Sequence, residues 1–236
     1  MASAQTITRI RLPLSSAYLI QGERPILVDT GSPGDLPRLL AALNAKGISA
    51  EDLSLVIHTH GHGDHAGSTA ALRPLTHAKF AIHPADQQMV RNGRNTLGEM
   101  TSLEARVITP FVNKPFPPAE CDLILREESS LAPYGVAGSI LFTPGHTSGS
   151  ISISLDEGDV IAGDVLMGGT LGGAIQGHKP HWHYYVSSRS QVIASVRRIL
   201  DLHPHQIHVG HGGPLAPVEI KKWLDGAIAR DGSTRG

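Results

Sequence analysis

The segment HTHGHGDHAG at residues 58–67 is the feature that most constrains the fold. It holds four histidines and one aspartate within eight positions and directly follows the apolar run LSLVI at residues 53–57. Polar residues just after a buried strand lie at a sheet edge, where α/β proteins build their sites. The intervening glycines allow a tight turn on which the side chains converge. We therefore predict a metal site here, rather than a surface loop of separately hydrogen-bonded histidines.

The first half of the chain alternates between short β-type runs and helical patterns. Strands are predicted within residues 7–31, 53–60 and 78–84. Between the first two of these stretches, residues 35–46 (DLPRLLAALNAK) have leucines at helical spacing and end before a glycine. This β-α-β alternation predicts strands covered by helices.

A less regular, lid-like segment follows at residues 87–120, and the pattern then returns. Strands are predicted within residues 121–127, 138–145, 150–158, 159–164 and 205–210, with helices over 188–200 and 216–230. Two such halves predict an α/β fold, a four-layer αββα sandwich with two mixed β-sheets packed face to face and helices outside. No low-complexity tract interrupts the chain, so residues 1–236 are predicted to form a single domain.

The charge balance narrows the range of partners. Twenty Lys and Arg against 21 Asp and Glu leave almost no net charge, so neither nucleic acid nor an acidic membrane surface is expected as a partner. The first 20 residues predict neither a signal peptide nor a membrane anchor, and the cytoplasm is the simplest compartment. The lone cysteine, Cys121, excludes an internal disulfide and is interpreted as a packing residue. The oligomeric state stays open.

Three isolated polar residues repeat the pattern of the first cluster. His146, Asp164 and His211 each follow a predicted strand and stand next to a glycine. Each signal is weak alone, because a hydrogen-bonded histidine or a capping aspartate is common. Together with the cluster, and leaving His58 aside, they supply five histidines and two aspartates, which is enough for two metal ions.

These motifs resemble the metallo-β-lactamase-fold superfamily. THGHGDHAG matches its H-x-H-x-D-H signature, and VDTG, TPGHTSG, AGD and GHGGP match its other landmarks in the expected order. The resemblance implies a metal-dependent hydrolase with a small-molecule substrate. It implies two divalent ions, with zinc expected first and iron or manganese as alternatives. The implied metal ligands are His60, His62 and His146 for one ion, Asp64, His65 and His211 for the other, and Asp164 between them.

The resemblance also implies roles near the metals. A hydroxide shared by the two ions is expected to attack the substrate, with Asp64 as the catalytic residue that orients it. Asp29 is expected to hydrogen-bond a metal ligand and hold it in place. His58 lies outside the signature and is interpreted as a strand-end residue near the site.

Asp164 separates the branches of the superfamily. The zinc β-lactamases that resemble this fold place cysteine or serine at this position, whereas thioesterases and lactonases such as glyoxalase II keep the bridging aspartate. A thioester, lactone or related ester is therefore the expected substrate. A β-lactam-hydrolysing or phosphodiesterase member of the same fold, or a non-catalytic metal-binding scaffold, remains an alternative.

Two segments are expected to select the substrate, residues 87–120 and the stretch that follows Asp164. The second contains Gly168, Gly169, Gly172 and Gly173, which predict a flexible loop, and it is rich in histidine and aromatic residues. From this loop we predict that His181 and Tyr184 contact the substrate. A packed surface loop is the alternative.

Overall fold

The computed structural model describes residues 5–126 and 129–233, in which fourteen strands and seven α-helices are formed. The strands are β1 (Thr6–Arg11), β2 (Ser16–Gln21), β3 (Pro25–Val28), β4 (Leu55–Ile57), β5 (Lys79–Ile82), β6 (Glu99–Met100), β7 (Leu123–Ile124), β8 (Gly138–Phe142), β9 (Ile151–Leu155), β10 (Asp159–Ile161), β11 (Met167–Thr170), β12 (Ile175–His181), β13 (Tyr185–Val186) and β14 (Gln206–His208). The helices are α1 (Leu36–Asn44), α2 (Gly63–Ala66), α3 (Thr69–Leu72), α4 (Pro84–Asn92), α5 (Leu103–Val112), α6 (Arg189–Asp201) and α7 (Pro217–Ser233).

Two mixed sheets form the centre of the fold. The first has the strand order β1-β2-β3-β4-β5-β7, antiparallel from β1 to β3 and parallel from β3 to β7. The second has the order β14-β10-β9-β8, and only the pair of β10 and β14 is parallel. Parallel strands place their carboxyl ends at one edge, so the residues that follow β4, β10 and β14 are ready to form a site.

Alternating residues of the strands divide the core into layers. Tyr18, Ile20 and Ile57 of the first sheet pack with Ile153 and Ile161 of the second in one buried cluster. Because successive side chains on a strand point to opposite faces, the residues between them contact the helices instead. This inner cluster makes the two sheets pack face to face, as the sequence predicts.

The outer faces of both sheets are covered by helices. Leu39 and Leu43 of α1 pack on the outer face of the first sheet in a cluster that contains Leu27, Val56 and Phe80. On the second sheet, α6 and α7 contribute apolar residues to a cluster with Val160 and Ile207. Helix, sheet, sheet and helix layers follow from these clusters, and the predicted αββα architecture is confirmed.

Several predicted elements are shorter than expected. The helix predicted over residues 35–46 forms as Leu36–Asn44, and the strand predicted within 121–127 contains only Leu123–Ile124. Glu127, the last residue of that prediction, lies outside the described residues. Cys121 is buried in the cluster beneath α1, and burial raises the pKa of its thiol to about 12, in agreement with a packing role.

The segment after Asp164 differs from its prediction. Instead of a flexible loop, it forms the antiparallel hairpin of β11 and β12. A Cβ on Gly168 or Gly169 would lie 1.9 Å from a carbonyl oxygen of the facing strand. These two glycines are therefore explained by the close approach of the two backbones and not by flexibility. Within the described residues, no helix is long and apolar enough to cross a membrane.

Candidate metal centre

The histidine-rich segment leaves the first sheet at the end of β4 and enters α2. Residues 58–62 run along the sheet edge, and α2 carries Asp64 and His65. Gly63 permits this turn, because a Cβ there would lie 2.6 Å from the ring of Phe116. The short helix thus begins against the core and directs its first turn towards the site.

Three separate strand ends supply the remaining predicted ligands. His146 follows β8, Asp164 follows β10 and His211 follows β14. All three are buried, as are His60, His62 and His65. Residues that are up to 151 positions apart in the sequence, from His60 to His211, therefore meet at one edge of the sandwich.

The predicted ligands form two groups. The ligand atoms of His60, His62 and His146 lie within 4.8 Å of one another, and those of Asp64, His65 and His211 do the same. In the first group, His62 Nδ1 is 3.0 Å from His146 Nε2. In the second, Asp64 Oδ2 is 3.3 Å from His211 Nε2. The structure thus brings together the two ligand sets that the resemblance implies.

Asp164 lies between the two groups. Its Oδ2 atom is 3.7 Å from Nε2 of His60 and of His146. The same oxygen is 3.2 Å from Nε2 of His65 and of His211. One carboxylate therefore faces both groups, as a ligand shared by two cations would.

Unsatisfied polar atoms at this point indicate what the site binds. Both carboxylate oxygens of Asp164 and the Nε2 atoms of His60, His65 and His211 are buried without a hydrogen-bond partner among the described residues. A buried polar group without a partner costs about 1–3 kcal/mol. Imidazole nitrogens and carboxylate oxygens are ligands of zinc and of other divalent transition metals. The donor set therefore fits divalent metal ions.

Hydrogen bonds to the far nitrogen orient most of these imidazoles. Nδ1 of His146 contacts the carbonyl oxygen of Tyr185 at 2.8 Å, and Nδ1 of His211 contacts that of Leu14 at 2.8 Å. His62 is turned the other way, with Nε2 3.1 Å from the carbonyl oxygen of Thr96. A carbonyl oxygen accepts the ring proton, which leaves the opposite nitrogen free to bind metal.

Asp29 and His58, the two residues predicted to lie near the site, contact different neighbours. Asp29 has a left-handed backbone, with φ of 62°, and its carboxylate accepts hydrogen bonds from the amide and hydroxyl of Thr59. Its Oδ2 atom is also 2.8 Å from His65 Nδ1, so Asp29 holds a predicted ligand. His58 is buried and contacts the hydroxyl of Thr69 at 3.0 Å.

The two groups differ in their electrostatics. Burial lowers the pKa of His60 and of His146, so these imidazoles are neutral. Burial also opposes protonation of His211, but Asp164 and Asp64 outweigh it and raise its pKa to about 10. The pKa of His65 is raised in the same way. These protons balance the negative charge of the neighbouring carboxylates. A divalent cation bound there would displace them, so metal binding releases protons.

Asp86 is a residue of this centre that the sequence analysis missed. Its buried carboxylate accepts hydrogen bonds from the amide of Gly61 at 3.0 Å and the amide of Gly149 at 2.8 Å. It also accepts one from the Thr147 hydroxyl at 2.6 Å. Asp86 therefore ties the loop of His60 and His62 to the loop of His146.

We expect Asp86→Asn to weaken metal binding about 10–100-fold, the usual cost of losing a partner behind the ligands. The NH₂ group of asparagine would face a donor from which the carboxylate now accepts a hydrogen bond, so that bond would be lost. Competition with a chromogenic chelator measures the affinity. Asp225→Asn, at an exposed position on α7, is the control. Unchanged metal affinity in Asp86→Asn would show that the two loops are held by other contacts.

A cavity of about 360 Å³ opens beside the centre. His62, Asp64 and His211 of the metal centre line it, and the segment 87–120 provides much of its wall. The wall residues are Asn95, Leu97, Glu104, Ile108, Phe111 and Val112 from that segment, with Pro13, Leu14, Leu171, Gly172, His183, Tyr184 and Tyr185 from elsewhere. A mostly apolar cavity with a few polar groups is typical of a small-molecule site.

The two predicted substrate residues are placed differently. Tyr184 lines the cavity, where its hydroxyl donates to Glu104 at 2.6 Å and accepts from the Gly172 amide at 2.9 Å. His181 ends β12, pairs with Met167 across the hairpin and is exposed. It is not among the residues that line the cavity. His183, which the sequence analysis did not select, takes the position next to the metal ligands.

Two facing mixed sheets gather, at one edge, histidines and aspartates that could hold divalent metal ions, an arrangement typical of a metallo-hydrolase. The chain belongs to the metallo-β-lactamase superfamily, whose sequence profile matches residues 11–211. That stretch contains every predicted metal ligand from His60 to His211.

Individual relatives agree with this assignment. A probable metallo-hydrolase of Methanocaldococcus jannaschii is 34% identical over 152 residues, which cover 64% of this chain and 67% of that protein. The metallo-beta-lactamase domain-containing protein 1 of Xenopus laevis is 28% identical over 210 residues, covering 87% and 77%. A solved metallo-beta-lactamase family protein from Thermus thermophilus has a TM-score of 0.69 at 24% identity, covering 96% of this chain and 80% of that one. The structural likeness shows the shared fold.

Proposed function

We propose that this protein is a hydrolase that uses two divalent metal ions to cleave a thioester, lactone or related ester. The observation that carries the proposal is the position of the Asp164 carboxylate, within 3.7 Å of the Nε2 atoms of imidazoles from both ligand groups. Zinc suits these nitrogen and oxygen donors best, and iron and manganese suit them as well.

Each predicted ligand would have its own role at the site. Bound ions would act as Lewis acids and lower the pKa of water for attack on a carbonyl carbon. His60, His62 and His146 would hold one ion, Asp64, His65 and His211 the other, and Asp164 both. The Asp64 side chain is 25% exposed and lines the cavity. There its carboxylate can accept a hydrogen bond from the attacking water and orient it.

The cavity wall supports an ester over a phosphodiester. No Lys or Arg is among the described residues that line it, and the carboxylate of Glu104 adds negative charge. A phosphodiester anion would find no cationic side chain there beyond the histidines. Leu97, Ile108 and Phe111 instead offer apolar surface to an uncharged substrate. A small-molecule substrate in the cytoplasm stays the expectation from the sequence.

Metal analysis and a substrate panel test the proposal on the same preparation. We expect two ions per chain, and the highest kcat/KM on a thioester or a lactone among thioester, lactone, phosphodiester and β-lactam substrates. Removal of metal by a chelator should abolish turnover, and Zn²⁺ should restore it. A β-lactam or phosphodiester cleaved more efficiently than every ester would contradict the substrate class. A fully loaded protein that turns over nothing would support a scaffold.

A further inference from the structure

His183 is a buried imidazole at the metal centre that belongs to neither predicted ligand group, although its ligand atom also lies within 4.8 Å of those of His146 and Asp164. It is 6% exposed and lines the cavity. Its Nε2 atom lies 3.1 Å from Asp164 Oδ2, and its ring centroid is 4.1 Å from that of His146. His183 Nε2 is thus as close to Asp164 Oδ2 as the Nε2 atoms of the predicted ligands His65 and His211 are.

The backbone of Tyr185 fixes the tautomer of His183. The Tyr185 amide donates to His183 Nδ1 at 3.3 Å, and a backbone amide of this kind always carries its proton. The carbonyl oxygen of the same residue lies 3.3 Å from Nδ1, but it is engaged more closely by His146 Nδ1 at 2.8 Å. We therefore assign Nδ1 of His183 as an acceptor and the ring proton to Nε2. With its proton in place this nitrogen is a hydrogen-bond donor, and it would bind metal only after losing that proton.

This proton has no acceptor of suitable geometry in the described part of the protein. His183 Nε2 is buried without a hydrogen-bond partner, although the Asp164 carboxylate is near. Burying an unsatisfied donor is unfavourable, so such groups in a native protein call for an explanation. Because His183 faces the cavity, a bound molecule can supply the acceptor.

We propose that His183 is a catalytic residue whose Nε2–H donates a hydrogen bond to the carbonyl oxygen of the ester as that oxygen becomes negative. The inference rests on the proposed function. Donors placed in advance where charge develops stabilise the transition state more than the ground state. The proton stays on Nε2 throughout, so the role requires no change in the ionisation of the ring.

Two substitutions separate this role from metal binding. His183→Leu removes the donor, and His183→Gln keeps an N–H donor on a side chain of similar reach. His77→Gln, at an exposed position that is neither in the metal centre nor in the cavity lining, is the matched control. We expect His183→Leu to lower kcat on the best ester by about 10²–10³-fold, the usual effect of losing one oxyanion donor. His183→Gln should restore part of this loss.

Metal-based measurements provide a readout that does not depend on turnover. Metal content, chelator competition and the absorption spectrum of the Co²⁺-substituted protein should be the same in both His183 variants and in the wild type. A lower metal affinity or a changed Co²⁺ spectrum in both variants would make His183 a ligand and overturn the proposal. An unchanged kcat in both variants would overturn it as well.

Binding of phenylphosphonate, a tetrahedral oxyanion, separates failure of this proposal from failure of the proposed function. Calorimetry on the metal-loaded protein should show affinity at least about tenfold weaker in His183→Leu, with partial recovery in His183→Gln. If the wild type cleaves no ester but shows this pattern, the ester function fails and the role of His183 stands. If esters are cleaved but phenylphosphonate binds the wild type and His183→Leu equally, or does not bind at all, the role of His183 fails.

Discussion

Replacing Asp164 by alanine is expected to lower metal content well below that of the wild type and to reduce hydrolysis by more than about 100-fold. The reason is the central position of its carboxylate, which faces both ligand groups at 3.2–3.7 Å. Loss of a partner behind a ligand costs about 10–100-fold. Loss of a ligand shared by two ions should exceed that range, because both ions lose a negatively charged donor.

Elemental analysis of protein purified without chelator measures this effect, together with kcat/KM on the best ester. Asp159→Ala is the matched control, because Asp159 begins the same strand, β10, but its carboxylate faces His208, at 3.4 Å, and not a predicted metal ligand. Circular dichroism should show the same fold in both variants. Full metal content in Asp164→Ala would show that Asp164 is not a ligand.

The residues that the structure brings together at this centre can be recognised in the sequence because each has a local signal. His60, His62, Asp64 and His65 share one turn after a strand, and glycine marks the turn. The isolated ligands follow apolar runs that are recognisable as strands. Parallel strands bring their carboxyl ends to one edge, so the convergence follows from the fold once the strands are known.

The residues behind the ligands could not be predicted in this way. Asp86 stands in the first turn of α4, where an acidic residue is ordinarily explained by the helix dipole. Its three hydrogen bonds reach loops 25 to 63 positions away in the sequence. Nothing in the residues around Asp86 indicates these partners, which exist only once the two sheets have packed.

The choice between His181 and His183 shows the same limit. Both are histidines in one stretch rich in aromatic residues. The alternation of side chains between the two faces of a strand does not extend beyond the end of that strand. In the structure β12 ends at His181, and the ring of Trp182 then packs on Trp223 of α7, with centroids 4.9 Å apart. Trp182 thus packs against α7, whereas the next residue, His183, lines the cavity. The deciding partner is 41 positions further along the chain and is not visible from the local sequence.

Replacing Asp64 by alanine should have a different effect from replacing Asp164. Its Oδ2 atom lies 3.3 Å from His211 Nε2 and 3.8 Å from His65 Nε2, so it belongs to one ligand group only. Burial raises the pKa of Asp64, but His65 and His211 outweigh it and hold that pKa well below the usual range. The carboxylate is therefore charged at neutral pH, and its removal leaves the second group with two imidazoles.

We therefore expect Asp64→Ala to retain about one ion per chain in the group of three histidines and to lose the other. Hydrolysis should fall by more than about 100-fold, because a ligand and the acceptor for the attacking water are lost together. Asp64→Asn, which keeps one oxygen acceptor but not the charge, should retain more of the second ion than Asp64→Ala. Metal stoichiometry measured on both variants and on Asp164→Ala separates a ligand of one ion from a ligand of two. Equal loss of both ions in Asp64→Ala and Asp164→Ala would contradict this division, because it would mean that neither group holds its ion independently.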